Sequence, residues 1–450
     1  MEKSIEHIFR AYDIRGVYNE DMTPENAMAI GRAFGTFLRE GKVVVGRDAR
    51  KTGEVLQCAF VSGLASAGIG VVDIGMVPTP VVSYYIKKAG AKCGVIISAS
   101  HNPPEYNGIR FKDHDGTGYV SCIPKVKDIF LKKEFKRREW DELGSIKYIG
   151  RVDPIKSYLS ALKSKVKLDK PIKVVIDPGN GSGCGVGAEL FRDVGCKVVS
   201  INDEVDGSFP GRGPQPDEKS LQGLAKKVLE EKADLGIAYD GDADRAAFVD
   251  EEGVVRSAED TGMVLAEEIL GKQKGKVALN VECSKAVENR IKELGGDVTR
   301  IRVGDVFLAD AVKKGALFAM ESSSHFVVPE LFPFDDGIAV SLYMAGIVSR
   351  HPEGLAGMLK NVKKYPVMKE KFKCPDADKF KVIDRITAEF KKTNDVDTID
   401  GAKVQFEKGW ALLRASNTQP IVRLTVEAEN EDEVKNIAQT MEDSFKKNLK

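Results

Sequence analysis

The sequence has no excess charge of either sign. Its 450 residues include 68 Lys and Arg and 68 Asp and Glu, so the formal net charge at pH 7 is zero. Without a global field, a protein exerts no long-range attraction on nucleic acid or on an anionic membrane surface. We therefore expect neither partner, and we expect any bound anion to be held by a local site.

Paired cysteines and long apolar runs are also lacking. The seven cysteines are odd in number, scattered and without a C-x-x-C pair, which argues against a disulfide framework and against a zinc site. No stretch approaches the roughly 20 apolar residues of a membrane span, and no apolar signal core stands at the N-terminus. These features predict a cytoplasmic protein with reduced thiols.

The chain is longer than a single core, which rarely grows past about 250–300 residues. A strand, a helix, a glycine and a second strand follow one another three times, starting at Lys42, Ile172 and Lys276. These repeats indicate three similar mixed-sheet α/β domains. Beyond about Lys364, strands occur without crossover helices, which indicates a C-terminal α+β domain, mainly antiparallel. We place the four domains at residues 1–150, 151–252, 253–365 and 366–450.

In each α/β repeat the third apolar run ends in an unusual polar sequence. These sequences are Ser98–Asn102, Asp240–Arg245 and Glu321–His325. Ligands of α/β sheets bind outside the carboxyl ends of the strands. We therefore expect the three loops to converge on a central active-site cleft.

The first polar loop presents a serine. Gly94–Ile97 is typical of a strand that is buried on both faces, and Asn102-Pro103-Pro104 cannot continue a helix or a sheet ladder. We therefore expect Ser100 to be exposed at the carboxyl end of a strand, with His101 beside it. This position is that of a candidate nucleophile.

The second polar loop presents three carboxylates. Only Gly and Ala separate Asp240, Asp242 and Asp244, so the anions repel one another unless a hard cation such as Mg²⁺ binds them. The spacing of these residues also matches an EF-hand, but Arg245 stands where that loop requires glycine and the flanks are strands. An acidic surface turn is the alternative to a magnesium site.

Two further segments carry groups suited to a phosphosugar. Arg414–Pro420 combines a guanidinium, two hydroxyls, an amide and backbone N–H groups, which suit a phosphate monoester, although a polar hairpin loop has a similar composition. Glu321–His325 offers a carboxylate and hydroxyls for sugar hydroxyls, and an imidazole for proton transfer. The arginines of Tyr12–Gly16 and Gly46–Arg50 are also suited to phosphate, but surface ion pairs are the ordinary interpretation.

With these motifs in this order, the sequence resembles the α-D-phosphohexomutases over essentially its whole length. The resemblance is strongest to the phosphomannomutase/phosphoglucomutase group. The opening Phe9–Gly16 and the order Ser416-Asn417-Thr418 are similar to the mannose and glucose members, since glucosamine members usually show Ser-Gly-Thr there. Interconversion of hexose 1- and 6-phosphates, with mannose or glucose as the hexose, is the activity that the resemblance implies. Phosphoglucosamine mutase and a non-catalytic phosphosugar-binding paralogue are the alternatives.

The resemblance also implies a mechanism and its residues. Ser100 would carry a phosphoryl group and donate it to a hexose 1-phosphate, giving a 1,6-bisphosphate that reorients and serves as intermediate and activator. Mg²⁺ would bridge that phosphate and the loop carboxylates. The implied metal ligands are Ser100, Asp240, Asp242 and Asp244. The implied catalytic residues are Ser100, His101, Arg110, Arg245 and His325. The implied substrate-binding residues are Tyr12, Arg15, Glu321, Ser323, His325, Arg414, Ser416, Asn417 and Thr418.

The sequence departs from the family pattern in three places. Arg110 stands where the family usually has a lysine that transfers a proton, and arginine is a poor base. His325, His101 or Lys112 then takes that role. Met320 and Ser324 replace two glycines of the sugar loop, which narrows the freedom of its backbone. The oligomeric state is not predicted.

Overall fold

The computed structural model describes residues 5–416 and 420–449. It divides into two compact units. The first comprises the chain up to Thr261 together with Ser323–Lys360, and the second comprises Gly262–Ser322 and Asn361–Lys450.

The first unit begins with a six-stranded mixed sheet. Its strands are β1 (Ile14–Val17), β2 (Lys42–Arg47), β3 (Gly70–Met76), β4 (Cys93–Ile97), β5 (Tyr106–Lys112) and β6 (Ile146–Tyr148). The order across the sheet is β1-β5-β4-β2-β3-β6. β5 runs antiparallel to β4 and β1, whereas β2, β3, β4 and β6 are parallel. The helices are α1 (Pro24–Leu38), α2 (Gly53–Ser66), α3 (Thr79–Lys88) and α4 (Ile123–Lys132), with 3₁₀ turns at Ile5–Ile8 and Val120–Cys122.

Local sequence signals account for the first helix pair. The Thr23 side chain caps α1 by accepting a hydrogen bond from the Asn26 N–H at 3.2 Å, and Pro24 occupies the first helical position. α1 and α2 approach so closely that a Cβ on Gly31 would lie 2.3 Å from the carbonyl oxygen of Phe60. The glycine therefore permits the packing of this helix pair.

A second sheet follows within the same unit. Its strands are β7 (Lys173–Asp177), β8 (Lys197–Ser200), β9 (Leu235–Tyr239), β10 (Ala246–Val249) and β11 (Val255–Arg256). The order is β11-β10-β9-β7-β8, in which β7, β8 and β9 are parallel and β10 is antiparallel to both of its neighbours. The helices of this part are α5 (Val152–Lys163), α6 (Val186–Asp193) and α7 (Gln222–Glu231).

The third repeat forms a parallel sheet in the second unit. After α8 (Ala258–Lys272), the elements are β12 (Lys276–Asn280), α9 (Lys285–Glu293), β13 (Asp297–Ile301), α10 (Asp305–Lys313) and β14 (Phe318–Met320). β12 lies between β13 and β14 and is parallel to both. The carboxyl end of β12 leads directly into Val281 and Glu282.

The chain then contributes to the first unit again. The elements are β15 (Phe326–Val327), α11 (Gly337–Arg350) and α12 (Gly354–Leu359). Residues 337–349 of α11 are all buried, as expected for a helix that is apolar on every side. α11 packs on β9 and β10, and the hydroxyls of Tyr239 and Ser341 lie 2.8 Å apart.

The C-terminal part of the second unit is an antiparallel sheet covered by helices. Its strands are β16 (Val367–Lys373), β17 (Val396–Asp397), β18 (Ala402–Phe406), β19 (Gly409–Ala415) and β20 (Ile421–Ala428). The order is β16-β20-β19-β18-β17, with every neighbouring pair antiparallel. α13 (Lys379–Phe390) and α14 (Glu431–Leu449) pack on this sheet.

The predicted fold class is confirmed: three repeats form α/β sheets and the C-terminal part is α+β. The predicted domain limits stay predictions. Among the helices of residues 5–416 and 420–449, none combines the length and apolar character that a membrane crossing requires.

Candidate active site

Ser100 lies immediately beyond β4, as predicted, but it is buried, with 2 % of its surface exposed. Its backbone has a left-handed φ of 50°, a conformation that non-glycine residues rarely adopt outside functional loops. Ser100 Oγ donates to Asp240 Oδ2 at 2.7 Å and lies 3.4 Å from His101 Nδ1. A Cβ on Gly241 would lie 2.6 Å from the Ser100 carbonyl oxygen. The serine loop and the acidic loop are therefore packed directly against each other.

The buried side chain of Arg50 holds the backbone of the serine loop. Its guanidinium donates to the carbonyls of Ser100 and Asn102, each at 2.7 Å, and to those of Pro103 and Tyr106. It also pairs with Asp48, and both side chains are fully buried. The sequence interpretation of this segment as surface ion pairs is therefore wrong for Arg50. The four carbonyls lie 50 to 56 positions away in the chain, so no local signal could have revealed them.

The substitution Arg50→Lys is expected to lower the free energy of unfolding of the first unit by about 2–4 kcal/mol, because one ammonium cannot replace the guanidinium contacts to four buried carbonyls. Urea denaturation would measure this loss. Arg47→Lys is the matched control: Arg47 pairs with the exposed Glu54 at 3.2 Å, and its loss is expected to stay below about 0.5 kcal/mol. Equal losses in the two variants would contradict the anchoring role of Arg50.

The three aspartates of the acidic loop are fully buried. Asp242 Oδ2 accepts from Thr79 Oγ1 at 2.6 Å, from Ser98 Oγ at 3.0 Å and from Arg110 Nη1 at 3.2 Å. Burial, followed by the charges of Asp244 and Asp242, raises the pKa of Asp240 well above its usual range. Burial also tends to raise the pKa of Asp244, but the charges of Arg110 and His325 outweigh burial, so the pKa of Asp244 is lowered. The acidic surface turn considered above is therefore wrong.

This cluster fits a divalent cation. One oxygen from each of Asp240, Asp242 and Asp244 lies within 4.8 Å of the other two. The Oδ1 atoms of Asp242 and Asp244 are buried and have no hydrogen-bond partner among the described residues. Unsatisfied buried carboxylate oxygens are costly, and hard oxygen ligands of this kind suit Mg²⁺.

Arg110 and Arg245 lie on the acidic cluster. Arg110 Nη1 donates to the Oδ2 atoms of both Asp242 and Asp244. Arg245 Nε lies 3.8 Å from Asp240 and 3.9 Å from Asp244. Because Arg110 already neutralises two carboxylates, its place in this site is that of a charge partner and not of a base.

His325 is held in one orientation by its two ring nitrogens. Nδ1 lies 2.8 Å from Asp335 Oδ2, and Nε2 accepts from Arg245 Nε at 2.7 Å. This pattern requires a neutral ring with its proton on Nδ1. Burial and the Arg245 guanidinium oppose protonation, but the carboxylates of Asp244 and Asp335 outweigh them and raise the pKa of His325 to about 9. The ring is therefore neutral only while Arg245 donates to Nε2, and it takes up a proton readily once Arg245 leaves that nitrogen. Lys112 is buried and 3.9 Å from Asp335 Oδ1, so it lies on the opposite side of that carboxylate.

His101 belongs to the same cluster, but its pKa is shifted in the opposite direction from that of His325. The Arg245 guanidinium, burial, and the charge of Arg15 lower its pKa well below the usual range. Arg15 itself donates to Asn102 Oδ1 at 2.9 Å and pairs with Asp13. Tyr12 is half-buried in the bend before β1. The structure thus places Arg15 on the serine loop and His101 beside Ser100 Oγ as a neutral ring.

The sugar loop contains residues of both units. In the second unit Glu321 is buried and accepts a hydrogen bond from the Gly304 N–H. Met320 fills the space against Gly262, where a Cβ would lie 2.2 Å from the methionine sulfur. In the first unit Ser323 is exposed, and Ser324 has φ of 69°. Ser324 therefore keeps a glycine-like conformation although it carries a side chain.

The described part of the phosphate loop also lies in the second unit. Arg414 Nη2 and Nε donate to Glu282 Oε1 at 2.9 and 3.1 Å. The Ser416 N–H donates to the Ile421 carbonyl, and the Ser416 carbonyl accepts from Lys379 Nζ at 2.5 Å. Asn417 and Thr418 lie outside the described residues.

Sequence reasoning missed three residues that the structure places in these clusters: Asp335, Glu282 and Arg423. Asp335 orients His325 from ten positions further along the chain. Arg423 stands directly opposite Arg414 in the register of β19 and β20, and burial together with Arg414 lowers its pKa. Like charges in opposed positions destabilise a sheet unless an anion offsets them. The equal spacing of both arginines from the predicted hairpin loop is the signal that could have found Arg423.

Known proteins similar to this chain match it over nearly its whole length. Four family models, described as phosphoglucomutase/phosphomannomutase α/β/α domains I, II and III and C-terminal domain, match residues 6–137, 156–253, 258–365 and 370–444. A probable phosphoglucosamine mutase of Thermococcus kodakarensis is 39% identical over 445 residues, 98% of each chain. A phosphoglucomutase/phosphomannomutase of the same organism is 36% identical over 442 residues, 95% of this chain and 96% of that protein. The crystal structure of a phosphoglucomutase/phosphomannomutase family protein from Burkholderia thailandensis superposes with a TM-score of 0.88 at 30% identity and covers 98% of each chain.

The chain therefore belongs to the α-D-phosphohexomutase family. It is an intramolecular phosphotransferase of the isomerase class, which sets aside the non-catalytic paralogue. The hexose is a separate question, because one of these relatives is named for glucosamine and another for glucose and mannose.

Proposed function

We propose that the chain interconverts hexose 1-phosphates and hexose 6-phosphates through a phosphoryl group carried on Ser100. The observation that carries the proposal is the position of Ser100 Oγ, 2.7 Å from Asp240 Oδ2 at the edge of three buried carboxylates. A serine that transfers acyl groups needs donors for an oxyanion, whereas anionic oxygens and arginines surround this one. A serine that carries a phosphoryl group beside a cation site accounts for both the carboxylates and the arginines around it.

Asp240, Asp242 and Asp244 would hold Mg²⁺, together with the phosphate on Ser100. The bound cation supplies positive charge that offsets the negative charge of the transferred phosphoryl group. Arg110 adds a guanidinium on the same side as Asp242 and Asp244. Arg245 donates to His325 in the structure. We propose that its side chain rotates away from His325 to contact the phosphoryl group.

His325 is the group that we assign to proton transfer. When Arg245 turns toward the phosphoryl group, the Nε2 lone pair of His325 becomes free to accept the proton of the attacking sugar hydroxyl. The oxygen of that hydroxyl then forms a bond to phosphorus while the bond between phosphorus and Ser100 Oγ breaks. Asp335 holds the proton on Nδ1 throughout and stabilises the imidazolium. His101, a neutral ring 3.4 Å from Ser100 Oγ, orients the serine.

The remaining predicted residues bind the part of the substrate that does not react. We assign Glu321 and Ser323 to sugar hydroxyls, and Arg414 and Ser416, with Asn417 and Thr418, to the second phosphate. Arg15 contacts the serine loop through Asn102, and we assign Arg15 and Tyr12 to the substrate as the family resemblance implies. Arg423 joins the phosphate-binding set because it faces Arg414 across the sheet.

Glucosamine phosphates are the first candidate substrates. The support is the name and 39% identity of the Thermococcus relative described above. Mannose and glucose phosphates form the second candidate, supported by the order Ser416-Asn417-Thr418 and by the second Thermococcus relative.

A substrate panel tests both candidates. With Mg²⁺ and trace glucose 1,6-bisphosphate, we expect kcat/KM for glucosamine phosphate to exceed that for mannose or glucose phosphate by about tenfold, the factor that about one net hydrogen bond provides. A preference for mannose or glucose would instead support the second candidate. If none of the three sugars is converted, the proposed function is wrong. If a 1,6-bisphosphate accumulates without isomerisation, the protein is a bisphosphate synthase.

A further inference from the structure

Glu282 is a carboxylate in a place where an anion is unexpected. It follows β12, and its Oε1 accepts both hydrogen bonds from Arg414, the guanidinium assigned to phosphate. Its Oε2 accepts from Ser322 Oγ of the sugar loop at 3.3 Å. The side chains of Arg414 and Glu282 are 11% and 16% exposed, so their charges are only partly screened. Glu282 thus connects the phosphate loop with the sugar loop inside the second unit.

The backbone that carries Glu282 is held on both sides. Arg300 Nη1 donates to the carbonyls of Asn280 and Cys283 at 3.1 and 2.8 Å. Lys403 Nζ donates to the Val281 carbonyl at 2.7 Å, and its ammonium lies 3.8 Å from the centre of the Trp410 ring. These contacts join β12, β13, β18 and β19. A turn that is fixed in this way keeps the carboxylate beside Arg414 when a ligand arrives.

A fixed carboxylate has two opposite effects on a phosphate site. It orients the guanidinium by occupying its Nε edge and leaves the Nη1 atom for the ligand. It also repels the phosphate dianion, and at this distance and partial burial one unit charge changes an affinity by about tenfold. Arg423, opposite Arg414, supplies the second positive charge. The cluster therefore holds two arginines against one carboxylate, which leaves a net attraction of moderate strength.

We propose that Glu282 weakens the grip of Arg414 on the substrate's non-reacting phosphate, so that a bisphosphate intermediate can leave this loop and present its other end. The proposal rests on the proposed function, because only an enzyme that must exchange the two ends of one intermediate benefits from a weakened site. Glu282 is in this role a positioning and tuning residue that acts through Arg414. It takes no part in bond making.

The substitution Glu282→Gln tests this idea, since it keeps an acceptor oxygen for Arg414 and removes the charge. We expect the dissociation constant of inorganic phosphate, measured by isothermal titration calorimetry on the full chain, to fall by about tenfold. In turnover, KM is expected to fall and kcat to fall with it, because release becomes slower, and free 1,6-bisphosphate in the reaction is expected to decrease. A merely structural role of Glu282 would raise KM and lower the melting temperature.

Two further variants keep the test decisive. Glu267→Gln removes a carboxylate of the same unit that pairs with Arg290 at 2.8 Å on the surface, and it should leave phosphate binding unchanged. Glu282→Ala also removes the charge and serves if the glutamine variant does not fold. Unchanged or weaker phosphate binding in both Glu282 variants would overturn the proposal. Phosphate binding does not depend on which sugar is converted, so failure of the proposed function would appear separately, as the absence of turnover in the unmodified chain.

Discussion

The substitution Ser100→Ala is expected to abolish turnover and to remove the phosphoryl group from the protein. The variant lacks the oxygen that we propose as the carrier of the phosphoryl group, and loss of a covalent nucleophile typically lowers kcat by roughly four orders of magnitude or more. The neighbouring Ser98 hydroxyl is a poor replacement, because its single proton is shared between Asp48 Oδ2 at 2.8 Å and Asp242 Oδ2 at 3.0 Å. A steady-state assay with the preferred hexose phosphate measures the first effect, and intact-protein mass spectrometry measures the second.

The matched control is Ser62→Ala on the exposed face of α2, where the hydroxyl donates to the Cys58 carbonyl of the same helix at 2.9 Å. This variant should keep both activity and phosphoprotein content. Retention of more than a few per cent of activity by the Ser100 variant would show that the phosphoryl group passes elsewhere. A phosphorylated peptide that excludes Ser100 would lead to the same conclusion.

Removal of the divalent cation has the second largest expected effect. Asp240, Asp242 and Asp244 are buried together, and their mutual repulsion raises the free energy of the folded state when no cation is bound. Chelation is therefore expected to abolish activity, and Mg²⁺ is expected to restore it. Binding to the folded state alone also stabilises it, so the melting temperature of the unmodified chain should rise as Mg²⁺ is added.

The substitution Asp242→Asn separates this effect from general salt effects. With one anion removed, the metal-free variant should melt at a higher temperature than the unmodified chain, and it should gain less from Mg²⁺. Its kcat should fall by about two to three orders of magnitude, because charge on the transferred phosphoryl group is less well offset. Asp141→Asn, at an exposed position, is the control that should respond to Mg²⁺ like the unmodified chain. If the melting temperature of the unmodified chain does not change when Mg²⁺ is added, the metal site is contradicted.

The strands that lead into the site follow from the sequence pattern, whereas the burial of its residues does not. The strand that ends at Ile97 and the acidic loop after Tyr239 are evident from apolar runs that stop at small and polar residues, and both lie where that pattern predicts. That Arg110 is a poor base stays a prediction; in the structure its partners are two carboxylates. The exposure of Ser100 was predicted wrongly: the serine is buried because the acidic loop packs on it.

The sequence by itself determined the kinds of elements and the kinds of chemical groups. Periodicity identifies strands and helices because each element imposes its own spacing on apolar residues, and residue types limit which chemistry a loop can perform. Only the tertiary structure decided the partners. Arg50 contacts the serine loop across 50 to 56 positions of the chain, Arg245 donates to His325 across 80, and Arg414 donates to Glu282 across 132. Such pairs depend on how sheets and helices pack, and packing is a property of the whole unit that no single segment of sequence displays.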